Sequence, residues 1–402
     1  MNTFGLSDNR HPVFIVRENP FGEKVGGISR WYWTLGQELA LLGLAPTILT
    51  SSNDSKTHIR MLNNVWIHEI GHDIQRLESQ YANSYAFSPR LMPDQINDFI
   101  EKVQAHLLWL GDFRPPSSVI APVFEGVHAS ISTRYFKILT MHTTSEETLK
   151  SSRGWFRDPE FLHYWAEPII RNEELSIVKS NIILSNSKAS FAVAVRIGRK
   201  YLSEIQLPIM ALQPHGVKPG NIPYAEYDCR QRSIVQVGRW EPRKGTDLAI
   251  KAFNELVKHH PDYHLFLVGE DTVNWRHKLE KLVSNENVHF ISGLTDVEKD
   301  ELVANSMFSL TSSRYESFGL TIPEALRFGT PSIINRSGGM LDFENDGGVI
   351  CVDAEDTNFL IQVVRNFDTP QSWKTLSQSA IEIFESKYDI RIVAPEFAKL
   401  LK

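Results

Sequence analysis

Short runs rich in β-branched residues alternate with helical patterns along nearly the whole chain. The predicted strands of the first half lie at 12–18, 46–51, 65–70, 118–124, 137–143, 181–187 and 209–216. Those of the second half lie at 233–239, 264–270, 288–293, 307–313, 331–337 and 349–354. This alternation is typical of parallel sheets whose faces are covered by helices, so the sequence predicts an α/β fold.

A chain of 402 residues is too long for one ordinary hydrophobic core and fits two domains. The stretch 216–232 contains two glycines, two prolines and no clean periodicity, which makes it the best candidate for a linker. We expect two Rossmann-like domains that face each other across a cleft. Ligands of such sheets bind at the carboxyl ends of the strands, so a site is expected there.

Composition and charge exclude several classes of protein. The apolar, charged and aromatic fractions are those of an ordinary globular chain, and a net charge of -6 argues against a nucleic-acid binder. The apolar run at 13–16 is too short for a signal peptide, and no run approaches the roughly 18 residues that a membrane span needs. Cys229 and Cys351 lack a C-x-x-C partner and are interpreted as plain thiols. We therefore expect a cytoplasmic protein.

Two cations stand where a predicted strand ends and the next helix begins. In VGRWEPRKG, 237–245, Arg239 follows the strand and Lys244 precedes a helix that starts near Gly245 and Thr246. Free N–H groups and the dipole at a helix N-terminus favour an anion, so cations at this junction suit a phosphate. The alternative is that both are solvated loop cations in weak surface ion pairs. The chain has no G-x-x-x-x-G-K-[ST] motif and no G-x-G-x-x-G after the first strand, which disfavours nucleotide kinases and ordinary dinucleotide enzymes.

The stretch RYESFGLTIPEALRFGT, 314–330, carries two glutamates eight positions apart. Thr321 fits the N-cap of a short helix, and Glu324 fits the acid of a T-x-x-E capping box. Glu316 precedes the helix and has no helix end to cap, so without a ligand it would be a solvated surface acid. Glu316 is therefore the sharper candidate for a ligand-binding residue.

The stretch ESFGLTIPE, 316–324, resembles the E-x(7)-E motif of the retaining nucleotide-sugar glycosyltransferases with the GT-B fold, the family named glycosyl transferases group 1 (family 4 type). Further motifs occur in the order of that family. They are the Gly-Gly loop and first helix at 19–43, the strand ILTMHT at 138–143, NIILSNSKA at 181–189, LQPHGV at 212–217 and the Gly-Arg…Lys-Gly phosphate loop at 237–245. The chain departs from the family at Ser312, where the family has proline, and at Asp342, which replaces the more typical acid.

This resemblance runs from about residue 13 to the end of the chain. It implies two Rossmann-like domains that face a central cleft. The expected bounds are an N-terminal acceptor-binding domain at 1–217, a C-terminal nucleotide-sugar-binding domain at 230–378, and a C-terminal helix at 379–402 that crosses back to the N-terminal domain.

The resemblance also implies roles on the donor side. Arg239 and Lys244 contact the diphosphate and stabilise charge on the leaving nucleotide. Glu316 contacts the hydroxyls of the donor sugar, and Glu324 contacts those of the ribose, although the capping box competes for the same carboxylate. The remaining donor-binding residues, some through their backbone N–H groups, are Gly27, Ser317, Phe318, Gly319, Leu320 and Thr321. With cations and a helix dipole at this place, no metal ion or other cofactor is expected.

On the acceptor side the resemblance assigns Gly26, Gly27 and His142. Paired glycines let the backbone approach a ligand closely, but they can equally serve only the turn. A lone histidine on an apolar strand is more often a satisfied core residue than a catalyst. The family match instead places His142 near the reacting centre, which makes Glu316, His142, Arg239 and Lys244 the implied catalytic residues.

The expected function is that of a retaining, metal-independent, hexosyltransferase-type glycosyltransferase. It would move a sugar from a UDP- or GDP-sugar to a glycan, lipid-linked or small-molecule acceptor in polysaccharide or glycoconjugate biosynthesis. The alternatives are an inactive partner subunit that binds nucleotide sugars, and a GT-B epimerase or phosphorylase. The segment 144–176, rich in aromatic and charged residues, has no family counterpart and is interpreted as an insertion near the cleft. Arg30, Trp31 and Trp33 offer groups for peripheral contact with the inner face of a membrane, with packing and acceptor binding as the alternative.

Overall fold

The computed structural model describes residues 10–21, 26–52, 54–71, 91–152, 159, 162–271 and 274–401. These residues form two compact units. The N-terminal unit holds the described residues of 1–147, 156–216 and 393–402, and the C-terminal unit holds those of 148–155 and 217–392. Each unit contains one β-sheet, which agrees with the predicted α/β fold.

The N-terminal unit has an eight-stranded sheet with the order β3-β4-β2-β1-β5-β6-β7-β8. Its strands are β1 (Pro12–Ile15), β2 (Thr47–Ser51), β3 (His58–Leu62), β4 (Val65–Ile70), β5 (Ser118–Pro122), β6 (Lys137–Met141), β7 (Ile182–Ser185) and β8 (Ile209–Leu212). The helices of this part of the chain are α1 (Gly27–Leu41), α2 (Leu91–Phe113), α3 (Ser145–Ser151), α4 (Glu167–Val178) and α5 (Lys188–Tyr201). Every residue of β1, β2, β5, β6 and β7 is buried, because helices cover both faces of a parallel sheet.

The C-terminal unit has a six-stranded parallel sheet with the order β11-β10-β9-β12-β13-β14. Its strands are β9 (Gln231–Val237), β10 (His264–Val268), β11 (Val288–Ile291), β12 (Ser306–Thr311), β13 (Ser332–Asn335) and β14 (Val349–Val352). The helices are α6 (Thr246–Leu256), α7 (Arg276–Glu280), α8 (Asp296–Asn305), α9 (Thr321–Leu326), α10 (Phe359–Phe367), α11 (Pro370–Ile383) and α12 (Ile390–Ala398), of which α12 continues into the N-terminal unit.

All the predicted strands occur in the structure, and β3 is an additional one. This strand pairs antiparallel with β4 at the edge of the sheet, and its five residues are all exposed. Its sequence, HIRML, alternates polar His58 and Arg60 with apolar Ile59 and Met61, although neither face of the strand is buried. The alternation covers only four residues, which is the short limit of a strand pattern, and the strand was missed for that reason.

The interpretation of 144–176 as an insertion is wrong for the part that the structure describes. Helix α4 packs against the 3₁₀ turn Phe124–Ala129, with Ile169 and Ile177 buried. The buried carboxylate of Glu173 accepts hydrogen bonds from the backbone N–H of Ser145 at 2.9 Å and from its hydroxyl at 2.8 Å. Helix α4 is therefore a core helix of the N-terminal unit. Residues 153–158, 160 and 161 of this segment lie outside the described residues.

The end of the chain packs within the N-terminal unit. The ring centroid of Phe397 lies 6.3 Å from that of Phe14 and 6.1 Å from that of Trp31. A guanidinium nitrogen of Arg10 donates a hydrogen bond to the carbonyl oxygen of Ala398 at 2.6 Å. Residues 393–402 thus belong to the core of this unit, while 379–392 belong to the C-terminal unit.

None of the helices in the described part of the chain has the length and apolar character needed to cross a membrane.

Candidate active site

The strand order of the C-terminal sheet changes direction between β9 and β12. From β9 the chain continues to β10 on one side, and it later places β12 on the other side. The chain therefore leaves these two neighbouring strands toward opposite sides of the sheet. In open parallel sheets, ligands bind at such a point, beyond the carboxyl ends of the strands. The loop 238–245 after β9 and the loop 312–320 after β12 meet there.

Gly245 and Ser312 bring the two loops into direct contact. The backbone of Gly245 is left-handed, with φ of 66°, and a Cβ atom there would lie 2.1 Å from the carbonyl oxygen of Ser312. The Ser312 hydroxyl donates to Oε1 of Gln236 at 2.8 Å. The Gln236 amide in turn donates to the carbonyl oxygen of Lys244 at 3.2 Å. The serine at the family's proline position thus links both loops.

A cluster of charged side chains forms where these loops meet. Nζ of Lys244 lies 2.6 Å from Oε1 of Glu316. The Ser313 hydroxyl donates to the same oxygen at 2.8 Å, and Arg243 donates to Oε2 at 3.2 Å. The side chains of Arg243, Lys244 and Glu316 are only 10%, 20% and 11% exposed. These are therefore charge-assisted hydrogen bonds in a region largely shielded from water.

The guanidinium of Arg243 has two further acceptors besides Glu316. Its Nη2 donates to Oε1 of Glu241 at 2.7 Å, and Nη1, which also donates to Glu316, donates to the carbonyl oxygen of Tyr315 at 3.0 Å. Burial by itself lowers the pKa of Arg243, but the neighbouring Glu316 and Glu241 raise it above its usual value. Arg243 is thus a fully charged, immobilised cation.

Glu316 is an anion at neutral pH. Burial by itself raises the pKa of Glu316, but the charges of Lys244 and Arg243, with hydrogen bonds from Lys244 and Ser313, outweigh burial and lower it to about 2. An ionised carboxylate only accepts hydrogen bonds. Glu316 is therefore suited to accept hydrogen bonds from hydroxyl groups.

The sequence predicted Lys244, Glu316 and Arg239 in one site, and the structure joins only the first two directly. The Arg239 guanidinium lies 3.7 Å from Oε1 of Glu241, and its side chain is 57% exposed. It is therefore the most accessible cation of this loop. Sequence reasoning missed Arg243 and Ser313. An arginine beside a lysine, or a serine in a polar loop, is common, and only the contacts with Glu316 show that these two belong to the site.

A second ion pair holds the phosphate-loop turn in place. Arg314 donates to both carboxylate oxygens of Asp247, at 2.8 and 2.7 Å, and also to the carbonyl oxygen of Pro242. The Arg314 and Asp247 side chains are 9% and 15% exposed. The 3₁₀ turn Pro242–Lys244 is thus bound to the loop after β12.

The capping box predicted at Thr321 and Glu324 is wrong. The N-cap of α9 is Leu320, which already has helical backbone angles, and no side chain caps the helix. The left-handed Gly319, with φ of 97°, makes the turn into the helix instead. The Thr321 hydroxyl shares a hydrogen bond with that of Thr311 at 3.2 Å. Among the described residues, no group hydrogen-bonds the half-buried Glu324 carboxylate.

The loop between these acids presents its backbone rather than its side chains. Phe318 is buried against Phe343 and Tyr388, with ring centroids 5.1 and 6.1 Å away, and Ser317 is also buried. Helix α9 has only six residues, so its N-terminus is short.

His142 lies in the N-terminal unit, directly after β6. Its Nε2 and the Thr140 hydroxyl are 3.0 Å apart, and its ring lies 4.9 Å from that of His215 and 6.1 Å from that of Trp31. Trp31 and His215 stack at 4.1 Å. Burial lowers the pKa of His142 to about 3, so the imidazole is neutral at physiological pH.

The paired glycines open α1 in the same unit. Gly26 is its N-cap, and Gly27 is its first residue. The backbone N–H of Gly26 donates to Oε2 of Glu18 at 2.8 Å, and the Ser29 hydroxyl donates to that oxygen at 3.2 Å. A Cβ atom on Gly26 would lie 2.5 Å from this oxygen, so the glycine permits the close approach. Sequence reasoning missed Glu18.

The described residues contain no group of three or more His, Cys, Asp or Glu side chains that could hold a metal ion.

The family model for glycosyl transferases group 1 matches residues 227–367. This range contains both loops of the charged cluster, and the fold and the order of motifs agree with the match. The chain carries a group 1 glycosyltransferase domain. Within this domain lie Arg239, Arg243, Lys244, Glu316 and Glu324, whereas Gly26, Gly27 and His142 lie outside the matched range.

Known proteins similar to this chain agree with the group 1 domain. The serotype-specific mannosyltransferase WbdA of Escherichia coli is 36% identical over 106 residues, which cover 25% of this chain and only 13% of that protein. Sucrose-phosphate synthase from Thermosynechococcus elongatus has a TM-score of 0.75 at 17% identity, over 97% of this chain and 98% of that chain. HepE from Anabaena in complex with UDP-glucose has a TM-score of 0.67 at 15% identity, over 97% and 98%. At these identities the solved structures show a shared fold, the two-domain GT-B fold.

Proposed function

We propose that this chain is a retaining, metal-independent glycosyltransferase that takes a sugar from a UDP- or GDP-sugar. The observation that carries the proposal is the buried cluster of Lys244, Arg243 and Glu316 at the switch point of the group 1 domain. It combines the ammonium of Lys244, for contact with a diphosphate, with the ionised carboxylate of Glu316, for sugar hydroxyls. The acceptor is a glycan, a lipid-linked sugar or a small molecule.

Departure of a nucleoside diphosphate leaves negative charge that must be stabilised in the transition state. Arg239 extends into solvent from the same loop that carries Lys244, and both contact the diphosphate in this proposal. These cations take the place of a metal ion, which is the basis for proposing a metal-independent reaction. Loss of either cation should cost about 2 to 4 kcal/mol in the transition state.

The two glutamates bind hydroxyl groups in this proposal. Glu316 accepts hydrogen bonds from the donor sugar, and Glu324 accepts them from the ribose. The corrected geometry of α9 supports the second assignment, because Glu324 is not engaged in a capping box. Backbone N–H groups of 317–321 bind oxygen atoms of the sugar or the phosphates, and neutral His142 serves as a hydrogen-bonding group rather than as an acid.

The choice of nucleotide rests on the similar proteins. HepE was determined in complex with UDP-glucose, and WbdA is a mannosyltransferase. Because the matched part is a small fraction of WbdA and HepE shares only the fold, UDP and GDP are both candidate nucleotides here.

Nucleotide binding gives the first test. At a concentration of 100 times Kd, a ligand of the native state raises its stability by about 2.7 kcal/mol, so melting curves with UDP, GDP and ADP will show which base is bound. Lys244→Met should reduce this stabilisation, whereas Lys258→Met, at an exposed cation in the same unit, should not. The proposal fails if none of the three nucleotides stabilises the protein.

Turnover gives the second test and does not require the acceptor. Release of nucleotide from UDP- and GDP-sugars is measured with EDTA and with added Mg²⁺, and equal rates support the metal-independent reaction. Once an acceptor is found, NMR of the product reports whether the anomeric configuration is retained. Nucleotide binding without any turnover would favour an inactive partner subunit.

A further inference from the structure

Arg243 has no role among the residues assigned to donor binding, yet it is one of the two cations on the Glu316 carboxylate. We propose that Arg243 is a positioning residue that holds Glu316 in place when Lys244 turns to the donor diphosphate. This inference rests on the proposed function and adds a residue that the sequence did not indicate.

The first step is a competition for Lys244. In the structure its ammonium lies 2.6 Å from Oε1 of Glu316. A bound diphosphate brings a second anion to the same ammonium, which is a compact charge on a flexible stem with three donors. The contact between Lys244 and Glu316 is therefore weakened when the donor binds. A carboxylate that is 11% exposed then needs another cation, because an unpaired buried charge is costly.

Arg243 is the cation that remains. Its contact with Glu316 is to Oε2, the oxygen that Lys244 does not use. Ser313 donates to Oε1, so it keeps one hydrogen bond on the carboxylate but supplies no charge. Among the described groups around this carboxylate, Arg243 and Lys244 are the cations and Glu241 is the anion beyond Arg243.

Arg243 is also poorly placed to bind the donor itself. Its guanidinium donates to Glu241, to the Tyr315 carbonyl oxygen and to Glu316, and its side chain is 10% exposed. A planar guanidinium held by three acceptors has little freedom to turn to a new anion. Its effect on the reaction must therefore pass through Glu316.

A double-mutant cycle tests this route. Arg243→Gln and Glu316→Gln are made singly and together, and nucleotide release from the best donor is measured as kcat and KM. Arg243→Gln should lower kcat by about tenfold or more in the unmodified background and by much less in the Glu316→Gln background, because coupled residues are not additive. The Kd of UDP or GDP should change less than threefold, which separates positioning from direct donor binding.

The pH profile supplies a second readout. Loss of one of the two cations near Glu316 makes its carboxylate easier to protonate, so the acid limb of kcat should move to higher pH in Arg243→Gln. Arg243→Lys keeps the positive charge but loses the planar set of guanidinium donors. The acid limb of kcat should therefore move to higher pH by a smaller amount in Arg243→Lys than in Arg243→Gln. A purely structural effect would lower kcat at all pH values alike.

Arg327→Gln is the matched control. Arg327 is another 10% exposed arginine of this unit, and it pairs with Asp300 at 2.7 Å. Its hydrogen bonds within the described part of the chain are to Asp300 and to the carbonyl oxygens of Lys218 and Glu324, outside the cluster of Glu316. Arg327→Gln should lose about as much stability as Arg243→Gln, but the acid limb of its kcat should stay at the pH of the unmodified protein. Far-UV circular dichroism and melting curves check that each variant is folded. If Arg243→Gln does not fold, Arg243→Lys is used in its place in the double-mutant cycle.

The outcomes separate the inference from the proposed function. If the unmodified protein turns over a nucleotide sugar and the two substitutions are additive, the role of Arg243 is overturned while the function stands. A large rise in the Kd of the nucleotide in Arg243→Gln also overturns it, in favour of a direct donor contact. If the unmodified protein neither binds a nucleotide nor releases one from a donor, both fail together.

Discussion

Lys244 and Glu316 form a 2.6 Å ion pair that joins the loop after β9 to the loop after β12. The pair is largely buried, and Arg243 binds the other oxygen of the carboxylate. The residues proposed to bind the donor thus also bind each other. Substitution at one of them changes the charge balance of the others.

The first prediction concerns stability. Glu316→Ala should lower the free energy of unfolding by about 3 to 5 kcal/mol, because it leaves two buried cations without their carboxylate. Urea unfolding of the C-terminal unit measures this loss. Glu324→Ala is the control, since its carboxylate has no hydrogen-bond partner among the described residues, and it should change stability by less than about 0.5 kcal/mol. Equal effects of the two substitutions would show that the ion pair contributes nothing.

The sequence alone points to a different result for Glu316. It places Glu316 in a loop, as a solvated surface acid when no ligand is bound, and substitution of such a group usually changes stability by less than about 0.5 kcal/mol. Its burial and its three donors depend on how two loops, more than seventy residues apart in sequence, meet at the end of a sheet. Periodicity predicted the strands that carry these loops but not the contacts between them.

Other parts of the prediction succeeded or failed for equally physical reasons. Buried parallel strands such as β9 and β12 were predictable because their apolar runs are required by burial on both faces. The capping box failed because Gly319 turns the chain so that Leu320, and not Thr321, begins α9. The sequence does not indicate that helix α4 belongs to the core, because it is rich in charged residues. One of these, Glu173, is buried in the fold and accepts hydrogen bonds from Ser145.

The second prediction concerns the pH dependence of the N-terminal unit. The pKa of His142 is lowered from 6.5 to about 3 in the folded state, so below pH 6.5 the unfolded chain binds a proton that the folded unit does not. The stability due to neutral His142 is therefore fully present above pH 6.5 and is lost as the pH falls toward 3, by about 1.4 kcal/mol per pH unit.

His142→Gln should reduce this loss. Between pH 6.5, where the unfolded imidazole is half protonated, and pH 4.5, the free energy of unfolding should fall by about 2 kcal/mol less in the variant than in the unmodified protein. Thr140→Val removes the hydrogen-bond partner of His142 but no titrating group, so it should lower stability by a similar amount at each pH. Parallel pH curves for His142→Gln and the unmodified protein would contradict the buried, neutral imidazole.

The third prediction concerns the contact between the two loops. Gly245→Ala should destabilise the C-terminal unit, because alanine resists the left-handed backbone and its Cβ would lie 2.1 Å from the Ser312 carbonyl oxygen. Gly293 has a similar φ of 74° with nothing within 4 Å of its Cβ position, so Gly293→Ala measures the backbone cost alone, about 1 kcal/mol. A loss no greater in Gly245→Ala than in Gly293→Ala would show that the loops separate without cost.

The fourth prediction separates support of the donor site from support of the fold. Asp247→Asn removes the carboxylate that receives both hydrogen bonds from Arg314, and it should destabilise the unit by about 3 kcal/mol. Asp247 holds the Arg314 guanidinium in position, and Arg314 also donates to the Pro242 carbonyl oxygen. When Arg314 is released, the turn that carries Lys244 is held less firmly, and nucleotide affinity should fall by roughly tenfold.

Asp300→Asn provides the comparison for this effect. It breaks the 2.7 Å pair of Asp300 with Arg327, whose side chains are 21% and 10% exposed, and should cost a similar free energy of unfolding. The partners of Arg327 among the described residues are Asp300 and the carbonyl oxygens of Lys218 and Glu324, none of which belongs to the 3₁₀ turn. Nucleotide affinity, measured by calorimetry well below the melting temperature, should therefore be retained. If both variants lose affinity equally, the loss follows from general destabilisation, and Arg314 has no particular role in holding the phosphate loop.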